Sequence, residues 1–175
     1  MPVSIKEVTA GAGSALPADV DIYLDLTLKR AGKVKGESVS SGHKDDIVVQ
    51  AFSWGVGAPT DIVTGQQKGR RSYRALSIRK GLDSASSALM SAVATNDEVK
   101  SAKLCLRKAG GEQQDYFTMT LEKARVVSVD LESDDRGHPV EKVSFNFQKI
   151  SVEYRVQGAG GQLGAAHSFN DDLVA

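Results

Sequence analysis

Apolar and polar residues alternate along most of the chain. The first clear case is Val20 to Leu28, where Ile22, Leu24, Leu26 and Leu28 share one face and Tyr23, Asp25 and Thr27 the other. That period of two predicts a half-buried strand. The following "AGKVKGESVSSGHKDD" mixes Gly, Ser and charge and predicts turns around at most one short strand. "IVVQAFSWGV" resumes the alternation, with Val48, Gln50, Phe52 and Trp54 opposite Val49, Ala51 and Ser53. One face of that strand is large and aromatic; the other is small. "GAPTDIVTGQQKGRR" (Gly57 to Arg71) is longer than an ordinary connection, which predicts a functional or a disordered loop. "SYRALSIRKGL" alternates again, loosely, with Tyr73, Ala75 and Ser77 against Arg74, Leu76 and Ile78.

The period changes at "DSASSALMSAVATND", which predicts a helix of about three turns. Asp83 or Ser84 is placed to cap it, Leu89, Met90 and Val93 form an apolar stripe, and Asn96 lies where helices stop. Three more strand patterns follow: "KSAKLCLRKAG", "DYFTMTLEKARVVSVDLES" and "VEKVSFNFQKISVEYRV". "AGGEQQ" joins the first two as a hairpin connection, and "SDDRGHP" is a turn cluster between the second and third. Many strands, regular turns and one helix predict a mainly β domain, a barrel or sandwich with the helix packed on it.

The ends differ from this body. Residues 1–19, with Ala-Gly steps and two Pro, are expected to be a flexible arm. Residues 20–157 form the domain, and the Gly/Ala-rich residues 158–175 are expected to be a flexible or docking tail.

Composition narrows the function. The chain has 175 residues, 41% of them hydrophobic, enough for one core without disulfides. Lys plus Arg and Asp plus Glu are 22 each, so no global field attracts nucleic acid or an anionic membrane. The single cysteine, Cys105, sits between Leu104 and Leu106 and is expected to be a structural strand residue. No run reaches the length of a membrane-crossing helix, and the start lacks the pattern of a signal peptide, so cytoplasmic synthesis is expected.

Little in the sequence points to covalent chemistry. "GAGGQLG" (Gly158 to Gly164) opens no predicted helix and "GQQKGRR" lacks the Gly-Lys-Ser/Thr of a phosphate loop, so no cofactor is expected. His43, His138 and His167 are scattered without metal-ligand spacing, and no metal site is expected. The acidic pairs Asp45/Asp46, Asp134/Asp135 and Asp171/Asp172 are read as turn residues. The basic run Lys68, Arg70, Arg71, Arg74, Arg79, Lys80 faces an acidic counterpart in Asp130, Glu132, Asp134 and Asp135. A head-to-tail contact between identical copies would join the two.

Three stretches in order resemble the Hcp family, the tube protein of bacterial type VI secretion. They are "VKGESVSSGHKDDIVVQAFSWGV" (Val34 to Val56), "LDSASSALMSAVATNDEVKSAKLCLRKAGGEQQDYFTMTLEKARVVSVD" (Leu82 to Asp130) and "EKVSFNFQKISVEYRVQ" (Glu141 to Gln157). The resemblance implies a small β-barrel of two antiparallel sheets with one flanking helix, like phage tail-tube proteins. It implies homohexameric rings that stack into a hollow tube, driven out of the cell by a sheath behind a VgrG-like spike. It also implies small effector proteins held in the ring lumen, and no enzymatic activity.

On that reading Phe52 and Trp54 belong to the core, while Ser53, with Ala51 and Val49 of the same parity, faces the lumen and cargo. The long loop, with Asp61, Gln66, Lys68, Arg70 and Arg71, reaches toward the next subunit or ring, and Asp130, Glu132 and Asp134 are its acidic counterpart. The alternative is a secreted effector or binding protein that uses the same barrel without polymerising.

Overall fold

The computed structural model describes residues 19–109 and 113–174. The expected N-terminal arm, apart from Asp19, and the middle of the "AGGEQQ" connection lie outside the described residues. Ten strands form one antiparallel network. β1 (Val20–Leu28) pairs with β2 (Gly32–Val34), β3 (Ile47–Val49) and β6 (Glu98–Lys108). β6 pairs with β7 (Asp115–Ser133), and β7 with β8 (Pro139–Asn146) and β9 (Lys149–Gln157). β8 continues the path to β5 (Ser72–Gly81), and β5 to β4 (Ala51–Gly57). The ladder does not close on itself as one cylinder. The segment from Ile47 to Gly57 instead links its ends, bonding to β1 through β3 and to β5 through β4, with Gln50 N–H donating to Arg79 O at 2.8 Å.

β7 serves two neighbours in turn. Its first half lies between β6 and β9, its second half pairs with β8, and Lys123 between them has a φ of 47°. A lysine in the left-handed region marks the bend at which this 19-residue strand leaves one neighbour for another. Leu24, Leu26, Leu76, Leu104, Met119, Leu121, Val143 and Phe145 fill the space enclosed. Burying this apolar surface is the main term favouring the fold.

α1 (Ser86–Thr95) covers the core. Its buried face is Ser86, Leu89 and Ala92, while Met90 and Val93 are exposed, so the expected stripe of Leu89, Met90 and Val93 is turned by part of a revolution. The small Ala85 and Ala92 let the helix approach β7 closely, which selects that face over the bulkier one. Asp83 Oδ1 accepts from the N–H of Ala85 at 2.9 Å at the helix start, and Asn96 ends the helix in the left-handed conformation.

Two expectations of strand layout are corrected. "VEKVSFNFQKISVEYRV" is two strands, β8 and β9, broken at Phe147 and Gln148, where Phe147 turns into the core beside the irregular point of β7 at Lys123; both strands run along the same edge of β7. The tail, expected to be flexible or docking, contains β10 (Leu163–Asp172), which pairs with β9 along most of its length, so the flexible alternative is the one replaced. Small Gly and Ala side chains hide strand periodicity because neither parity shows as apolar. Asp171 and Asp172, read as turn residues, lie at the end of that strand.

Candidate functional site

The register across β4, β5, β8 and β7 assembles a face that no single strand reveals. Ser53 lies opposite Ser77, Ser77 opposite Ser144, and Ser144 opposite Ser128, giving a row of serines across four strands. The next row is Ala51, Arg79, Lys142 and Asp130. Ser77 and Ser144 hydroxyls hydrogen-bond at 3.0 Å. A shallow groove of about 290 Å³ runs over these rows. It is small-sided, carries charges of both signs, and offers hydroxyls that donate or accept.

Phe52 and Trp54, partly buried, pack against the core from the opposite face of β4. Trp54 stacks on Tyr73 with centroids 5.9 Å apart, and Tyr73 meets Phe147 edge-on at 5.7 Å. Val49 is not on the small face: it is 4% exposed and pairs with Ile22 of β1. The chain changes partner at Gln50, and the inward parity changes with it, from Ile47 and Val49 in β3 to Phe52 and Trp54 in β4. The irregularity between Ser53 and Gly55 comes after Ser53 and leaves it exposed beside Ala51.

Residues 58–71 form an arm. Thr60 bridges to Gln67, and Asp61 folds the tip by accepting from the N–H groups of Val63 at 2.7 Å and Thr64 at 3.0 Å. Lys68 pairs with Asp61 at 2.6 Å. That ion pair, and then the two N–H groups, hold the Asp61 carboxyl below its ordinary range. Ile62 is 100% exposed and Val63 93%, so the tip presents two branched apolar side chains to solvent. Gln66 lies on the exposed return of the arm. At the base, Arg71 makes a two-pronged ion pair with Asp171 of β10, and the Tyr73 hydroxyl bonds to the same carboxylate. Asp171 is thereby depressed to about 2, by the Arg71 bond first and the Tyr73 bond next.

The charges assigned to a head-to-tail contact are thus partly committed within the chain. Lys68 and Arg71 have the partners just named. Asp134 is taken up by its own turn, accepting from His138 N–H at 2.8 Å and Arg136 N–H at 2.9 Å, which lowers its pKa. Glu132 pairs with Lys142 at 3.3 Å. Asp130 stays on the serine face, and Arg70 on the arm has no ion-pair partner among the described residues.

Two buried polar clusters were not legible in the sequence. His43 is buried, with Nδ1 2.9 Å from Asp46 and Nε2 2.8 Å from Asp115, its ring stacked on Tyr23 at 4.4 Å. Arg107 adds a bond to Ser41 O at 2.7 Å and one to Asp115 at 3.2 Å. This cluster fastens the "GESVSSGHKDD" loop to β6 and β7. His43, Cys105 and Asp115 bring donor atoms within 4.8 Å of one another, a geometry that a metal ion would accept. Burial pushes the Cys105 thiol up to about 12, and the Arg107 cation occupies Asp115, so the cluster fits a polar lock better than a metal centre. The second cluster joins fully buried Lys80 and Glu141, with Asp83 2.8 Å from Lys80 Nζ and Ser86 Oγ donating to Glu141 at 2.8 Å. It ties β5 and β8 to the start of α1.

A β-sheet domain with a small-sided polar face and an apolar-tipped arm is a protein built to contact other macromolecules. Comparison with known proteins agrees. The family model described as "Type VI secretion system effector, Hcp" matches residues 23–154. "Protein hcp1" of Pseudomonas aeruginosa is 34% identical over 146 residues, covering 81% of this chain and 87% of that protein. The "Major exported protein" of the same species is 29% identical over 135 residues, covering 72% and 78%. The Hcp1 structure from Escherichia coli EAEC 042 superposes with a TM-score of 0.73 at 29% identity, covering 89% of this chain and 99% of that one. A structure described as a type six secretion system protein gives 0.80 at 25% identity, covering 89% and 97%.

The chain belongs to the Hcp family of type VI secretion proteins, a family of secreted tube proteins rather than enzymes. Among the described residues no helix is long and apolar enough to cross a membrane.

Proposed function

We propose that this protein is the repeating subunit of a type VI secretion tube, forming six-membered rings that stack, with the serine face turned to the lumen. The row Ser53, Ser77, Ser144, Ser128 carries the reading. A wall that must pass or hold unlike cargoes needs short side chains and adaptable hydroxyls. Bulky apolar residues there would hold a cargo too tightly to release it. The partners on this reading are further copies of the chain, a VgrG-like spike, the contractile sheath, and small effector proteins carried inside the ring. The protein is made in the cytoplasm and leaves through the apparatus.

Placing a large side chain on the row tests the orientation. Ser53→Trp should leave annular particles visible in negative stain but narrow their central density and abolish co-purification of effector. An unchanged hole and unchanged effector recovery would put the serine face elsewhere. A soluble, non-polymerising binding protein on the same fold would show neither annuli nor a hole.

A further inference from the structure

Most of the basic run from Lys68 to Lys80 is accounted for by the fold. Lys68 and Arg71 are paired, Arg70 sits on the arm, and Lys80 is buried on Glu141. Arg74 and Arg79 remain. Both are exposed, and neither has a hydrogen bond or an ion pair among the described residues.

Both stand on the serine face. Arg79 lies in the row beside Ser77, between Ala51 and Lys142. Arg74 lies opposite Gly55 on the other side of Ser77, its guanidinium folded over the bare glycine backbone in the space a Cβ would take. The serine row therefore has a free guanidinium on each side. Compensation from within the face is weak. Lys142 is engaged by Glu132 at 3.3 Å, and Asp130 is two strands away from Arg79, about 10 Å at the spacing of neighbouring strands. The whole chain carries no net charge, so this surplus of cations is local to the face.

We propose that Arg79, with Arg74, selects cargo whose surface is acidic. The inference rests on the lumen reading and names the chemistry of what the serine face holds. A guanidinium presents a planar fork of N–H donors that meets a carboxylate with two parallel bonds, whereas the serine hydroxyls between the two arginines fit donors and acceptors alike and discriminate little. A basic cargo would meet two unpaired cations on every copy and be rejected. One exposed pair contributes little by itself; repetition of the two arginines at each subunit of a ring makes the preference selective.

The test is fluorescence anisotropy of a labelled Glu/Ser peptide and a Lys/Ser peptide of equal length, titrated with the full chain at low salt. The acidic peptide should bind at least several-fold more tightly than the basic one. Arg79→Gln should remove most of that difference, Arg79→Lys should keep part of it, and Arg74→Gln should lower it independently. Arg136→Gln, which removes an exposed cation from the β7–β8 turn, should leave it unchanged. Equal affinity for the two peptides overturns the proposal, as does a preference that survives Arg79→Gln combined with Arg74→Gln or falls equally with Arg136→Gln. So does tighter binding of a labelled single-stranded oligonucleotide at matched charge, which would make this a nucleic-acid surface. The ring fails separately from the selection. A protein of ring mass without the preference loses the selection and keeps the ring, whereas an Arg79-dependent preference in a protein of single-chain mass keeps the selection and loses the ring.

Discussion

Lys80 and Glu141 form a fully buried ion pair, where a single change is costly. They do not depend on each other equally: Lys80 also has Asp83 and the Gly81 carbonyl, whereas among the described residues Glu141 otherwise has only the Ser86 hydroxyl, and its Oε1 has no partner there. Lys80→Met therefore strands a buried carboxylate and should cost about 3–5 kcal/mol, read as a lowered urea midpoint at unchanged slope. Glu141→Leu leaves Lys80 with Asp83 and should cost clearly less. A reversed order would show that the network is balanced differently. Sequence patterning could not find this pair, because Lys80 follows Ile78 at inward parity yet a lysine there reads as a surface residue. His43 escaped for a related reason: its partners lie 3 and 72 positions away, and only the packing of the loop on β6 and β7 unites them.

At the scale of elements, β10 and the arm are one unit. Asp171 reaches from the C-terminal strand to Arg71 and Tyr73 at the arm's base, and Asp172 adds an ion pair to Lys149 of β9 at 3.3 Å. A carboxyl depressed from its ordinary value near 3.9 to about 2 contributes stability that is fully present above about pH 4. That contribution declines as pH falls and is gone below about pH 2. Hydrogen exchange should accordingly show β10 amides losing protection between about pH 4 and 2, with Asp171→Asn already lacking most of it at neutral pH. Constant β10 protection across that window, or loss of it near neutrality, would separate the strand from the clamp.

The elements were unevenly legible. β1 announced itself through four alternating apolar residues, and the helix through its changed period. β10 was hidden by Gly and Ala, and the switch at Gln50 by the fact that β3 and β4 read as one run. Periodicity reports which side of a strand is wet but not which neighbour it joins, so a change of partner in mid-run buries Val49 while Ala51 and Ser53 are exposed.

For the whole molecule, the serine face and the arm make sense together. The face exists only as a register across four strands, so the sequence pointed to Ser53 and could not point to Ser77, Ser128 or Ser144. The arm ends in side chains that a solitary domain has no reason to expose. Both features suit a protein that completes itself against its own copies. The solution mass, by light scattering coupled to size exclusion, tests that claim most directly. The account predicts a peak at six times the 18.6 kDa of one chain, holding its mass on dilution through the micromolar range. A single-chain mass at every concentration would contradict it and leave a secreted barrel that does not assemble.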